Sequence, residues 1–373
     1  MDGIIMEKPI KVLQLSLSES IGGVEILLRN LYHQFDHEEI QFDFVTTYDS
    51  PVYKDELEAY GAKIYRLPSQ NRPFSYRRAL KKLIQENGYH VIHVNKNSAA
   101  DLTPFIVGNQ LNVPIIIAHA HNTKSSVGFL ADIIHMFNRK KMDKYMTYAF
   151  ACSEEAAEWM FSKSFCKTHD IPILKNGICA KELDYHPQKR DEIRRRLSLG
   201  DKLVIGHVGK FSKRKNHAFL VDVFAQLHKK NPNSVLMLVG SGPKMAEIHQ
   251  KTHDLGISDS VMFMGSQNNI NDYYAAMDAF LLPSLSEDTP VVALEAQAAG
   301  LPVFVSDSVQ QDIEITNNVK WLSLAQSSEI WADMVLSVCD SFERTSQIEA
   351  VRKAGYDIEE TARILGEVYR SIK

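Results

Sequence analysis

Residues 284–300 read Ser284-Leu-Ser-Glu287-Asp-Thr-Pro290-Val-Val-Ala-Leu-Glu295-Ala-Gln-Ala-Ala-Gly300, and the rest of the chain is organised around them. Just upstream, Ala279-Phe-Leu-Leu-Pro283 is a short apolar run stopped by proline, the pattern of a buried strand. Beyond Pro290 the spacing of Val292, Leu294, Glu295 and Ala298 is helical, and Gly300 supplies a stop. The unit is strand, loop, helix. In an α/β protein such a turn faces the ligand crevice, where helix N-termini receive anions. Glu287 falls in the loop and Glu295 in the helix, so two carboxylates are available to the hydroxyl groups of one ligand. A solvated loop Glu and a helix-surface Glu would give the same local pattern, and the neighbouring segments bear on the choice.

Working outward, Leu203-Val-Ile-Gly-His-Val-Gly209-Lys210 is a buried strand that runs into a basic loop ending at Lys215-Asn216-His217. Glycine lets backbone amides approach an anion, and the ammonium groups of Lys210 and Lys215 neutralise phosphate. The strand Val235–Val239 leads into Gly240-Ser-Gly242-Pro, where Ala246 arrives one residue late for a dinucleotide fingerprint. The strand 261–265 opens into the loop Ser266–Asn269, which carries Gln267 and Asn268, and 272–277 is helical. After Pro302 another strand follows, and residues 357–372 form an amphipathic helix.

The first half alternates in the same way. Lys11–Ser16 is a buried strand, and Gly22-Gly23 opens a helix through Leu27, Leu28, Leu31 and Phe35. Val113–Ala118 is a strand apolar on both faces that runs into His119-Ala-His121, placing both histidines at its carboxyl end. Alternating histidines there need a third ligand before they bind metal, and no partner is evident. Two basic helix faces stand out: Arg77, Arg78, Lys81 and Lys82, and Arg139-Lys140-Lys141 with Lys144 behind the apolar stretch 133–137. Such faces are solvated or meet anionic lipid. Residues 184–199, rich in charge and containing Pro187, read as a linker merging into the first helix of the second domain.

At 373 residues with 45% hydrophobic and 24% charged residues, the chain has the length and composition of a two-domain globular protein. A net charge of −4 argues against a general nucleic-acid binder. Four cysteines without C-x-x-C spacing suggest neither zinc nor a disulfide framework, and fit a reducing, cytoplasmic setting. The first eleven residues lack the apolar core of a signal peptide. No apolar run approaches the roughly 20 residues of a spanning helix.

These motifs resemble those of the retaining glycosyltransferases of family 4, which have the GT-B fold. Their pattern P-S-x-x-E-G-x-P-x-x-x-x-E-A-x-A-x-G-x-P is met at Pro283-Ser284, Glu287, Pro290, Glu295-Ala296, Ala298, Gly300 and Pro302. Their V-G-[RK]-x4-K-N frame is met at Val208-Gly209-Lys210, Lys215 and Asn216, and an N-G-I turn at Asn176-Gly177-Ile178. The resemblance implies an α/β GT-B protein of two doubly wound Rossmann-like domains facing a central cleft. Residues 1–185 with the helix 357–373 would be the acceptor side, and 186–356 the nucleotide-sugar side.

By the same resemblance, the protein transfers a hexosyl unit from a nucleoside diphosphate sugar, foremost a UDP-sugar, to a hydroxyl acceptor. A lipid-linked glycan in capsular or exopolysaccharide assembly is the expected acceptor. The catalytic group would comprise His121, Glu287 on the donor sugar, and Lys210 and Lys215 on the diphosphate. His119 is the alternative to His121 by a one-residue slip. Gly22, Gly23, Gly209, Gly242, Asp288, Thr289, Pro290 and Val291 would surround the donor, with Glu295 on the ribose. Asn176, Gln267 and Asn268 are further candidates, the last two beside the nucleobase.

The lysines and the helix start would neutralise the leaving diphosphate, so neither metal nor cofactor is expected. Peripheral contact with the anionic inner face of the plasma membrane would suit a lipid-linked acceptor. Two positions depart from the family pattern. Asp288 stands where glycine is usual, and a carboxylate about 5 Å from a diphosphate costs on the order of 3 kcal/mol at an effective dielectric near 20. Lys210 stands where arginine is usual, keeping the charge without the bidentate fork. A sugar-nucleotide epimerase of the same fold and a non-catalytic sugar-nucleotide binder remain the alternative readings.

Overall fold

Ile10–Leu15 (β1), Ile40–Thr46 (β2), Ile64–Arg66 (β3), Val91–Lys96 (β4), Ile115–Ala120 (β5) and Tyr148–Ala151 (β6) are the strands of the first half. Leu203–Val208 (β7), Ser234–Val239 (β8), Val261–Gly265 (β9), Ala279–Leu282 (β10), Val303–Ser306 (β11) and Val319–Leu322 (β12) are those of the second. Most are apolar on both faces, as strands are when helices cover both sides of a parallel sheet. The computed structural model describes residues 9–121, 128–267, 269–287 and 290–372.

The chain divides into two compact units, Met1–Gly177 with Gly355–Lys373, and Ile178–Ala354. Each holds one six-stranded sheet, ordered β3-β2-β1-β4-β5-β6 in the first and β12-β11-β10-β7-β8-β9 in the second. Every strand pair is parallel. Counted from its own first strand, the second sheet has the same order as the first, that of a doubly wound nucleotide-binding fold. Phe105, Met142 and Phe161 anchor one core; Phe211, Phe224 and Trp331 anchor the other.

In the first unit the helix Ile358–Arg370 packs on β1 and on the helix Gly23–Gln34. Its Tyr369 is fully buried over a polar row, Gln14, His93, Asn95 and His119, in the middle of the sheet. The Tyr369 hydroxyl lies 2.8 Å from His93 Nδ1 and accepts from Gln14 Nε2 at 3.4 Å. At Gly177 the outgoing chain crosses the returning one: a Cβ there would stand 2.8 Å from the Ile358 Cα.

Three details differ from the sequence reading. Residues 187–196 are not a linker but the helix Pro187–Arg196, held by Asp278. Arg190 Nη2 and Arg194 Nη1 donate to its two carboxylate oxygens at 2.5 and 3.1 Å, and the Val204 N–H donates at 2.8 Å. The charge that suggests a solvated linker is compensated from more than 80 residues away. β5 runs two residues further than expected, because its ladder continues to Asn95 and Lys96 on one side and Phe150 and Ala151 on the other. His119 therefore lies inside the strand. Arg139 is buried, not part of a basic surface cluster, because its Nη1 donates to the Glu158 and Trp159 carbonyls at 3.2 Å each.

Candidate active site

In a sheet of this order, ligands bind beyond the strand ends where the order reverses. In the second unit those strands are β7 and β10, and their outgoing loops are the two motif segments. The loops are laced together. Leu285 N–H donates to the Arg214 carbonyl at 2.8 Å, and Asn216 Nδ2 to the Pro283 carbonyl at 3.1 Å. Asn216 has φ 56°, a left-handed conformation asparagine tolerates well. This lacing brings Lys215 Nζ to 2.8 Å from Glu287 Oε1, which also accepts from Ser284 Oγ at 2.8 Å. Arg214 Nη2 stands 3.6 Å from Glu287 Oε2. Only 4% of the Glu287 side chain and 12% of Lys215 are exposed, so the pair is desolvated.

Glu295 has its own partner. It sits buried within the helix Val291–Ala298 and accepts from the Tyr274 hydroxyl at 2.9 Å. Burial and the Glu295 charge push that hydroxyl well above its ordinary pKa, so it remains a donor. Pro290 caps this helix and Val291 begins it, both buried. Lys210 and Gln267 are exposed, and Gln267 Nε2 donates to the Met264 carbonyl at 2.5 Å. Gly209 lies beside Lys215, whose Cε would be 3.2 Å from an added Cβ.

Gly240 and Gly242 have φ 136° and 155°. Added Cβ atoms there would meet the Gly209 and Phe211 carbonyl oxygens at 2.1 and 2.6 Å. The close crossing of the two loops alone accounts for this glycine pair. Asp288, Thr289 and Asn268 lie outside the described residues.

In the first unit the structure brings together Gly22, Gly23, Asn176 and His121. A Cβ on Gly23 would come within 2.9 Å of Asn176 Nδ2, and Asn176 lies close enough to His121 to oppose in part the lowering of its pKa by burial. His121 Nε2 lies 2.9 Å from Asn95 Oδ1, and Asn95 Nδ2 donates to Gln14 Oε1 at 2.9 Å. His119 is wholly buried between His93, whose Nε2 is 3.2 Å from its Nδ1, and the His121 ring 4.1 Å away. It is a core residue behind His121, with no exposed surface for a ligand. A recess of about 350 Å³ opens at the ends of β1, β2 and β4, lined by Ser16, Glu25, Thr46, Tyr48 and Lys96 among others. Ser16, at φ 102°, is strained there.

Tyr274 and Asn95 were not singled out by sequence reasoning. Ser284 and Asn216 entered it as motif positions, without a role assigned to either side chain.

Burial lowers the pKa of His93 to about 3 and of His121 and His217 to about 4. The unfolded chain binds protons at these sites near pH 6.5 while the folded chain does not. Their stabilising contribution is complete above pH 6.5 and is lost as pH falls toward 4. Each histidine is expected to cost up to about 2 kcal/mol of stability by pH 5. Calorimetry from pH 7 to 5 checks this, and a flat melting temperature across that range would refute it.

The cation–carboxylate pair of the second unit thus lies at the switch point, where doubly wound sheets bind their ligands. Residues 21–182 match the model of the Glycosyltransferase Family 4 domain, and 189–353 that of Glycosyl transferases group 1. The putative glycosyltransferase EpsF of Bacillus subtilis is 30% identical over 369 residues, 96% of each chain. The UDP-Gal:alpha-D-GlcNAc-diphosphoundecaprenol alpha-1,3-galactosyltransferase of Escherichia coli is 22% identical, covering 80% of this chain and 79% of that one. Among solved structures, Anabaena HepE in complex with UDP superposes with a TM-score of 0.74 at 19% identity, over 97% of this chain and all of that one. The chain belongs to the GT-B glycosyltransferases built from family 4 and group 1 domains, and it is a glycosyltransferase.

Proposed function

We propose that the protein transfers a hexosyl unit from a UDP-sugar to a hydroxyl of a lipid-linked glycan, with the anomeric configuration retained. The observation that carries this reading is the buried Lys215–Glu287 pair at the switch point of the second sheet. Lys210, Arg214 and Lys215 supply three cations from one loop for a departing diphosphate, charge that a divalent metal supplies elsewhere. Glu287, anchored by Ser284 and Lys215, is held still to accept sugar hydroxyls, and Glu295 to accept those of the ribose.

With no carboxylate assigned as a covalent nucleophile, the reading takes front-face attack. The bond from C1 to the diphosphate breaks as the acceptor oxygen bonds C1 on the same face. The acceptor proton passes to the departing phosphate oxygen. The recess at the ends of β1, β2 and β4 is the acceptor-binding candidate, its hydroxyls, Glu25 and Lys96 suited to a polyhydroxylated ligand. Support for the donor comes from HepE, also solved with UDP-glucose, and from the UDP-Gal in the name of the Escherichia coli enzyme. The latter's diphosphoundecaprenol acceptor supports the lipid link.

The test is a melting-temperature panel of UDP, GDP, ADP and UDP-sugars on wild type and Asp288→Gly, followed by product anomer assignment by NMR. A ligand at a hundred times its Kd adds about 2.7 kcal/mol, a rise of roughly 5–10 °C for units of this size. A selective response to uridine nucleotides, with transfer that survives EDTA, is the expected result. Binding without turnover by wild type would favour the non-catalytic reading. A changed sugar formed without acceptor would favour epimerisation.

A further inference from the structure

The helix Phe129–Met142 buries a histidine and an arginine and leaves five large apolar residues facing outward. The inward face is His135, Arg139 and Met142, all buried. His135 Nδ1 accepts the Ala99 N–H at 3.0 Å, its Nε2 donates to the Trp159 carbonyl at 3.0 Å, and its ring stacks on Trp159 with centroids 4.3 Å apart. With Arg139 on two carbonyls and Asn138 Nδ2 on the Ala100 carbonyl at 3.0 Å, these polar groups are anchored on the protein. The helix has no reason to rotate.

The outward face carries Leu130, 75% exposed, Ile133, Ile134, Met136 and Phe137, 69% exposed. At 3.6 residues per turn, positions 130, 133, 134 and 137 form one stripe, and the exposed Lys140, Lys141 and Lys144 continue it. Five of the 14 exposed large hydrophobic residues of the described chain fall within these eight positions, whereas single scattered ones are ordinary. Protein interfaces exclude lysine from their apolar cores. An apolar stripe running into lysines is what a helix lying in a lipid interface presents: side chains at the acyl boundary and ammonium groups on lipid phosphates.

We propose that this helix face docks the protein on an anionic lipid leaflet. The docking stands on the helix alone, although it would serve the lipid-linked acceptor proposed above.

The test is flotation of the full chain with vesicles of phosphatidylcholine, alone or mixed with phosphatidylglycerol, containing no acceptor lipid. Wild type is expected to float with the mixed vesicles and to be released by salt. Ile134→Ser/Phe137→Ser is expected to bind at least tenfold more weakly. Lys140→Glu/Lys141→Glu should lose tenfold or more, since each lysine near an anionic surface contributes about fivefold. All four positions are exposed, so both variants should keep the wild-type melting temperature and nucleotide response.

Wild type failing to float, or variants floating as it does, would overturn the proposal. So would a concentration-dependent dimer that Ile134→Ser/Phe137→Ser makes monomeric without any vesicle binding, which would assign the face to a second copy. Failure here leaves the transfer reading standing. A protein that floats but responds to no nucleotide would keep the docking and lose the transfer.

Discussion

Lys215→Ala is expected to abolish transfer and to lower the melting temperature of the second unit by roughly 6–12 °C. The substitution strands Glu287, a carboxylate almost wholly out of water, with only Ser284 and the more distant Arg214 among the described residues for compensation. Removing one partner of a buried ion pair costs about 3 kcal/mol or more, and each kcal/mol is worth about 2–4 °C in a domain of this size. The double variant Lys215→Ala/Glu287→Gln removes the stranded charge and is expected to recover most of the melting temperature. Its turnover should stay down by about a hundredfold or more, because the cation for the leaving group and the carboxylate for the sugar hydroxyls are both missing. Calorimetry and initial rates on both variants separate the two roles. An unchanged melting temperature in the single variant would show that the pair does not anchor the loops. Wild-type turnover in the double variant would take Lys215 out of the reaction.

Gly240→Ala is expected to be nearly as damaging for a reason unrelated to ligands. Its φ of 136° is unfavourable for any side chain, and the new Cβ would stand 2.1 Å from the Gly209 carbonyl oxygen. Backbone cannot swing aside as a side chain tip does, so the crossing of the loops after β7 and β8 must open. We expect a loss of about 3 kcal/mol or more. Gly265→Ala is the control: it also has positive φ, 65°, but nothing among the described residues lies within 4 Å of its added Cβ. It should cost only about 1 kcal/mol. Equal melting temperatures for the two alanine variants would mean that contact at Gly240 is not what demands glycine.

Features legible in the sequence were those whose partners lie close along the chain. The alternation of apolar strand, glycine turn and amphipathic helix is local, and it was enough to read two doubly wound units. Glu287 and Glu295 stood out because their spacing within one strand-loop-helix turn is a local property. Their hydrogen-bonding partners were less legible. Tyr274 reaches Glu295 from 21 residues upstream, Asn95 reaches His121 across 26, and Tyr369 reaches His93 across 276. Those meetings depend on sheet order and register, which no local period encodes. The inverted helix at 129–142 shows the same limit: periodicity reveals that a helix has two faces, while only its neighbours determine which is inward. The linker reading of 184–199 failed over 187–196 likewise, since the composition of an arginine-rich segment is silent on a half-buried aspartate at 278.

The seating of Tyr369 over Gln14 and His93 also bears on the order in which the chain can fold during synthesis. β1 through β6 leave the ribosome first, yet the buried polar row in their sheet has no lid until the helix Ile358–Arg370 arrives. Between them come the roughly 180 residues of the second unit. At about 5–20 residues per second, the first unit waits about 10–35 s for its closing helix. Over that interval the second unit is being made while the first is still open. A nascent first unit with an uncovered sheet face is the species on which chaperones would act.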